Sequence, residues 1–350
     1  MDTKNHLTKM KSSINGHTLL LIITVALFIV MYAAGCIIYS DKGFSHFQTF
    51  LNLLITNAGL ICVTCGMTIV MLTAGIDISV GSLIAMDCMI LAFGMSVKGL
   101  PCIPLIIFIL VVGLVFGLVQ GFLVGYLNIQ PFIVTMSGLF FARGMTAVIC
   151  TKQISITQKD NELFYSWANA KINLPAFLGY KNNRGRVQVP FIRPTVIIAL
   201  VVVVLVFIML KYTKFGRTLY AVGGNEVSAS MMGLNVKRTK LMAYVLSSFL
   251  CSIGAICYCL NTMSGSVQQA LGFEMDSIAS AVIGGTLLTG GVGNIIGSLF
   301  GVFINGTIRT LVTTNGKLLS SWANIATAAL LCFFIVLQSI FAYVKDRRKA

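Results

Sequence analysis

Ten apolar stretches follow one another along this chain of 350 residues, each near the ~20 residues a helix needs to cross the hydrocarbon core of a bilayer. They fall at about 18–39, 52–74, 78–97, 102–127, 132–150, 193–211, 241–261, 275–290, 292–313 and 322–343. Charged residues make up 10% of the chain and its mean hydropathy is +0.91, against roughly 25% charged residues in a soluble domain. A soluble core cannot hide that much apolar surface. The expected fold is an all-α integral membrane protein of about ten transmembrane helices.

The net charge of +15 does not form one patch of the kind that binds nucleic acid. The cations cluster beside apolar runs: Lys4, Lys9 and Lys11, then Lys211 to Lys240, then Lys345, Arg347, Arg348 and Lys349. Basic segments flanking spans mark the cytoplasmic side. An even number of crossings puts both termini there, with residues 1–17 a cytoplasmic segment, 18–343 the transmembrane domain and 344–350 a cytoplasmic tail. Within the domain, 151–192 becomes a periplasmic loop and 212–240 a cytoplasmic one. The external loop nevertheless carries Lys152, Lys159, Lys171, Lys181, Arg184 and Arg186 against Asp160 and Glu162, an excess the positive-inside rule does not favour.

Most of the ten cysteines lie inside apolar runs and read as small buried hydrophobes. Cys62-Val-Thr-Cys65 stands without a second pair, so no metal site is expected. His6, His17 and His46 lie outside the buried helix regions, which argues against histidine-based catalysis. The first apolar run is about 20 residues, long for the core of a cleaved signal peptide. It is expected to stay as the first membrane helix, although Ala33-Ala34-Gly35-Cys36 imitates a lipid-attachment site.

Leu72-Thr-Ala-Gly-Ile-Asp-Ile-Ser-Val-Gly-Ser-Leu-Ile-Ala85 matches Leu288-Thr-Gly-Gly-Val-Gly-Asn-Ile-Ile-Gly-Ser-Leu-Phe-Gly301 at six positions. Glycine-rich breaks in two halves of a membrane chain are expected of a transporter with internal repeats and interrupted helices. The crossing count puts both copies near the cytoplasmic side, which would make the repeat parallel; a broken span would reverse that and make it inverted, so the orientation stays open. Gly75, Gly81, Gly284, Gly285 and Gly291 are the break candidates. Asp77, an ionisable group among apolar neighbours, needs water, a partner or backbone donors; Asp77 or Ser79 is suited to cap the helix that follows. Thr135, Arg143, Glu274 and Asp276 complete the pathway candidates. Glu274 and Asp276 open a helix, where carboxylates complement the dipole, and with Gln268 and Gln269 they also suit a neutral polyol. Gly113, Gly117, Gly121 and Gly125 form a stripe for close helix packing.

Between the basic clusters of the internal loop, Asn225 is a favourable N-cap, Glu226 suits a first turn and Gly233 suits the position past the end. A helix of about two turns is unstable alone in water and needs a surface. Val227, Met231 and Met232 supply apolar contacts for one.

Four segments carry a family resemblance: GIDISVGS at 75–82, PFIVTMSGLFFARG at 131–144, GGNEVSASMMGLNV at 223–236 and IASAVIGGTLLTGGVGNIIGSLFG at 278–301. Together they resemble the ribose, arabinose and xylose type of ABC-transporter permease over about residues 44–340, with the galactofuranose importers nearest among them. The resemblance implies that Asn225, Glu226, Ser228, Ala229, Met232 and Gly233 form the coupling helix that docks on a separate ATPase. It implies a second permease subunit in a homo- or heterodimer, a cytoplasmic ATP-binding subunit that hydrolyses ATP with Mg, and a periplasmic sugar-binding protein. Ser228-Ala229 stands where the family often has two alanines. The chain has no Gly-x-x-x-x-Gly-Lys-Ser/Thr segment, so the energy is expected to come from elsewhere; no cofactor is expected in this chain, nor an ATPase activity of its own. A branched-chain amino-acid permease shares much of this architecture, but its substrate favours fixed charges, and the spans are nearly uncharged. An ion-driven carrier would need more ionisable sites than Asp77, Asp87 and Arg143. A membrane enzyme would need a convergent acid, base and nucleophile, and none is present.

Overall fold

A computed structural model describes residues 16–175, 179–181, 187–319 and 321–347. Lys4, Lys9, Lys11, His6, Arg184, Arg186, Arg348 and Lys349, together with most of the N-terminal segment, lie outside them. Thirteen α-helices are present among the described residues. They are α1 (Gly16–Ile38), α2 (Phe47–Leu72), α3 (Val80–Ser96), α4 (Cys102–Gly125), α5 (Pro131–Ile149), α6 (Glu162–Asn169) and α7 (Pro194–Tyr212). Then follow α8 (Lys214–Gly224), α9 (Glu226–Met231), α10 (Val236–Thr262), α11 (Phe273–Ile283), α12 (Ile295–Asn315) and α13 (Ser321–Arg347). Eight are long and apolar enough to cross a membrane, namely α1, α2, α4, α5, α7, α10, α12 and α13. At 17 and 11 residues, α3 and α11 reach about 25 and 16 Å at the helical rise, short of the ~30 Å hydrocarbon core.

Helix directions follow from the side chains that meet. On α2 and α10, Gly59 abuts Gly254 and Gly66 abuts Ser247, so the two are antiparallel. The α4 stripe of Gly113, Gly117, Gly121 and Gly125 lies against Ser252, Tyr244 to Ser248, Leu241 and Lys237 of α10, where side chains larger than hydrogen would hold the helices apart. Thr68 meets Ser298 through their hydroxyls at 2.9 Å while Asn57 packs on Gly306, so α12 also opposes α2. Every helix therefore starts or ends at one of two faces. The basic face holds the end of α2, the α7–α10 connection and the starts of α5 and α12; the far face holds the 150–193 and 263–272 loops.

Among the described residues the eight long helices, together with the shorter α3 and α11, run alternately between the two faces. The eighth expected segment, 275–290, is helical only to Ile283, because Gly284 and Gly285 turn the chain there, Gly285 at φ +90°. Thr24 Oγ1 donates to Ile283 O (2.6 Å) and Gln338 Nε2 to Val282 O (2.9 Å), so α1 begins and α13 ends toward the basic face. The far loop holds α6, capped by Asn161 through the N–H of Phe164 (3.0 Å), and short antiparallel pairs such as Ile154–Ser155 with Ser264–Gly265.

The repeat is parallel. Helix α2 descends to the basic face, the chain breaks at 73–79, and α3 climbs away beside α10. In the same way α11 descends, the chain breaks at 284–294, and α12 climbs away.

Candidate functional site

The first break lies inside the helix bundle and is held by side chains. Asp77 is fully buried. One of its oxygens accepts from the N–H (3.1 Å) and hydroxyl (2.6 Å) of Ser79, the other from the Ser247 hydroxyl of α10 (3.0 Å). Gln120 of α4 donates to the Ser79 hydroxyl (3.0 Å). Thr135 of α5 and Tyr244 of α10 each place a hydroxyl 3.4 Å from Ile76 O. Three helices thus satisfy the polar groups that the break exposes, each of which would otherwise cost several kcal/mol in lipid. Asp77 reaches the backbone at Ser79 alone, and no side chain caps the first turn of α3. Gly75 packs on the Tyr244 hydroxyl, and Gly81 on Glu274 and Ala270 at the approach to α11.

The second break is held by backbone. Leu287 N–H donates to Val292 O (3.0 Å) and Gly290 N–H to Leu287 O (3.2 Å), closing a small loop in which Gly290 and Gly291 take φ of +83° and +73°. Asn294 caps α12 by accepting from Ile296 N–H (3.0 Å). Gly284 and Gly297 meet backbone to backbone. Gly291 N–H donates to Leu72 O (3.0 Å), so the two breaks touch at the basic face.

A polar cavity of about 440 Å³ opens at the far face among Tyr258, Thr262, Ser264, Ser266, Gln268 and Gln269, with Asp276 and Arg309 in its wall. Asp276 and Arg309 form an ion pair at 2.6 Å, and Asn305 Nδ2 donates to the other Asp276 oxygen (3.2 Å). The Asp276 carboxylate therefore bonds to α12 and not to the N–H groups of its own helix. Gln269 is used internally, donating to the Thr262 hydroxyl and Ser264 O, both at 3.0 Å, whereas Gln268 is exposed. Arg143 of α5 donates to the carbonyls of Val267 (2.5 Å) and Gln269 (2.9 Å) and so positions the cavity loop. Glu274 keeps one buried oxygen without a hydrogen-bond partner.

On the basic face, Asn225 accepts from Ser228 N–H (2.8 Å) to cap α9. The helix ends when Gly233 N–H and Leu234 N–H donate to Ser230 O (2.9 Å) and Ala229 O (3.1 Å), with Gly233 at φ +78°. That is the Schellman geometry glycine favours. Val227, Met231 and Met232 are 63%, 83% and 68% exposed, while Ala229 is wholly buried. Ser228 and Gly233 lie on the open side. Glu226 pairs with Lys240 of α10 at 2.6 Å.

The candidates thus fall into three places: Gly75, Asp77, Ser79 and Thr135 at the first break; Arg143, Glu274, Asp276 and Gly81 near the far cavity; and Gly284, Gly285 and Gly291 at the second break, where Gly291 lies against the end of α8. Sequence reasoning missed Arg309, Tyr220, Ser247 and Gln120. Arg309 had a signal, since a cation inside an apolar run needs an anionic partner. Ser247 and Gln120 had none, because single polar residues in membrane helices are common.

The family profile described as "Branched-chain amino acid transport system / permease component" matches residues 49–337. The inner membrane ABC transporter permease protein YjfF of Escherichia coli (strain K12) is 36% identical over 94% of this chain and 95% of its own. The fructose import permease protein FruG of Bifidobacterium longum (strain NCC 2705) is 36% identical over 93% and 92%. The ribose import permease protein RbsC of Haemophilus influenzae is 31% identical over 91% and 92%. No solved structure matches significantly. The interrupted helices therefore sit in a chain similar along nearly its whole length to transport permeases, and this protein belongs to the family of permease components of ABC transport systems.

Proposed function

We propose that the protein is the membrane permease of an inner-membrane ABC importer that carries a neutral monosaccharide, a pentose, a hexose or galactofuranose. The observation that carries the sugar reading is the far cavity. Its open groups are hydroxyls and amides, and its one cation among the described residues, Arg309, is already paired with Asp276. A zwitterionic amino acid would need a free charge for its carboxylate and another for its ammonium, whereas a sugar needs neutral donors and acceptors beside an aromatic ring such as Tyr258. The fructose- and ribose-importing relatives agree with this, while the family description names amino acids.

On this reading the basic face is cytoplasmic and both termini lie there. The far cavity receives sugar from a periplasmic binding protein. ATP and Mg stay with the separate ATPase, since this chain has no phosphate-binding loop. Helix α9 docks on that ATPase through Val227, Met231 and Met232, with Ser228 and Gly233 beside them and Asn225 and Glu226 fixing its start. Ala229 fixes the helix from within. A second permease subunit completes the pathway. ATP-driven movement of α9 shifts the interrupted helices and exposes the cavity to alternate sides.

The test is uptake by membrane vesicles containing the permease, its ATPase and its binding protein. Labelled ribose, fructose, galactose and galactofuranose are offered alongside leucine, isoleucine and valine. Uptake of a sugar and of none of the amino acids is expected, and the reverse result rejects the proposal. Met231→Glu with Met232→Glu changes only exposed side chains. It is expected to abolish stimulated ATP hydrolysis and transport while insertion stays normal; unchanged transport would show that α9 is not the docking element.

A further inference from the structure

The last turn of α8 lies directly against the point where the two breaks touch. Tyr220 donates its hydroxyl to Gly293 O (2.9 Å), and in the repeat Gly293 occupies the position of Asp77. Gly223 packs on the hydrogen bond between the breaks: a methyl added there would run into Leu72 O and Gly291 N. Gly291 in turn faces Gly223 and Gly224, and Gly290 faces Ala74. Ala74 itself takes a left-handed φ of +59°, unusual for a residue with a Cβ. Four glycines and a strained alanine thus bring three backbone segments together, the end of α2, the second break and the end of α8. Asn225, the cap of α9, follows Gly224 without any intervening residue.

We propose that Tyr220 and Gly223 are positioning residues that join the docking helix α9 to both helix breaks, so that one displacement of α9 moves the two together. This rests on the transporter reading above. The physical basis is the nature of the contact. A junction of backbone groups without intervening side chains has no rotamers to absorb a shift, so a movement of α8 passes to Leu72 and Gly291. The Tyr220 hydroxyl holds the end of α8 to the start of α12 two residues further on. Coupling through a packed junction requires that it has discrete arrangements shared by both sites. The left-handed glycines of the second break supply the backbone freedom for a second arrangement.

The junction predicts a change in coupling, not in folding. In the full complex of permease, ATPase and binding protein in vesicles, the ratio of ATP hydrolysed to sugar imported is measured. Tyr220→Phe removes one hydrogen bond and nothing else, and is expected to raise that ratio about 2- to 10-fold, the range one lost hydrogen bond allows, with complex yield and melting temperature near wild type. Gly223→Ala is expected to raise it further. Gly144→Ala is the control: an added methyl there meets open space, away from the junction, and the ratio is expected to stay at the wild-type value. If Gly223→Ala does not assemble, Tyr220→Phe decides alone. A wild-type ratio in Tyr220→Phe, or a loss of transport and ATP hydrolysis in equal proportion, overturns the junction. A wild-type complex that imports no sugar at all is a different result and rejects the transporter reading instead.

Discussion

The two breaks share six residues of sequence but solve the same physical problem in opposite ways. At the first, buried among α4, α5 and α10, a carboxylate gathers one N–H and two hydroxyls. At the second, glycines let the backbone bond to itself and to Leu72. At the paired position, Asp77 in one copy is an acceptor side chain, and Gly293 in the other accepts through its own carbonyl. A break held by one buried carboxyl group has a single good geometry, since any shift strands several donors in a low-dielectric interior. A break held by glycine backbone can exchange partners at lower cost. The first reads as a fixed point and the second as the more adaptable one, against the end of α8.

That contrast is most exposed to failure at Asp77. Asp77→Ala strands the Ser79 N–H and the hydroxyls of Ser79 and Ser247, and is expected to destabilise the permease by about 2–4 kcal/mol, read as a lowered melting temperature in detergent. Asp77→Asn keeps an acceptor, and a serine hydroxyl can turn to accept from the new amide, so a smaller loss is expected. Equal melting temperatures for wild type and Asp77→Ala would remove the distinction between the breaks. At the second break the sensitive contact is Gly284 on Gly297. Gly297→Ala forces α11 and α12 apart and is expected to cost about 1–3 kcal/mol as overpacking. The smallest effect lies at the far loop, where Asp160 accepts from the N–H (2.7 Å) and hydroxyl (2.9 Å) of Thr157 and from Ser96 (3.1 Å). The Thr157 N–H first, and then the hydroxyls of Thr157 and Ser96, hold the Asp160 carboxyl below the usual carboxylate range against the opposing effect of burial. A depressed native value stabilises above the unfolded pKa, about 3.9, and that stabilisation is lost as pH falls through the native value. The protection of the amides at 157–161 against exchange, relative to their intrinsic rate at each pH, is therefore expected to fall in Asp160→Asn at neutral pH, and in wild type only in acid.

The parts of the site legible beforehand were those decided within a few residues. Asn225 and Gly233 bound α9 through a side-chain oxygen and a left-handed φ, both properties of the residue itself. Gly285 marked an interruption for the same reason, with φ +90°, while Gly284 keeps a helical φ of −69° and serves the close approach to Gly297. The pairing of Asp276 with Arg309 spans 33 residues and no local pattern announces it. Which face of α9 is buried was equally hidden: a six-residue helix is too short for its periodicity to separate Ala229 from Met232.

The sequence by itself determined that this chain belongs in lipid, that it crosses about ten times, where its basic segments lie and where its helices must break, because each of these follows from hydropathy, charge and glycine over short stretches. Only the tertiary structure decided that the repeat is parallel, that the breaks touch at Leu72 and Gly291, and that the end of α8 lies on them. Those are contacts between backbone groups distant in sequence, and backbone groups are the same at every residue, so composition and spacing carry no record of which of them meet.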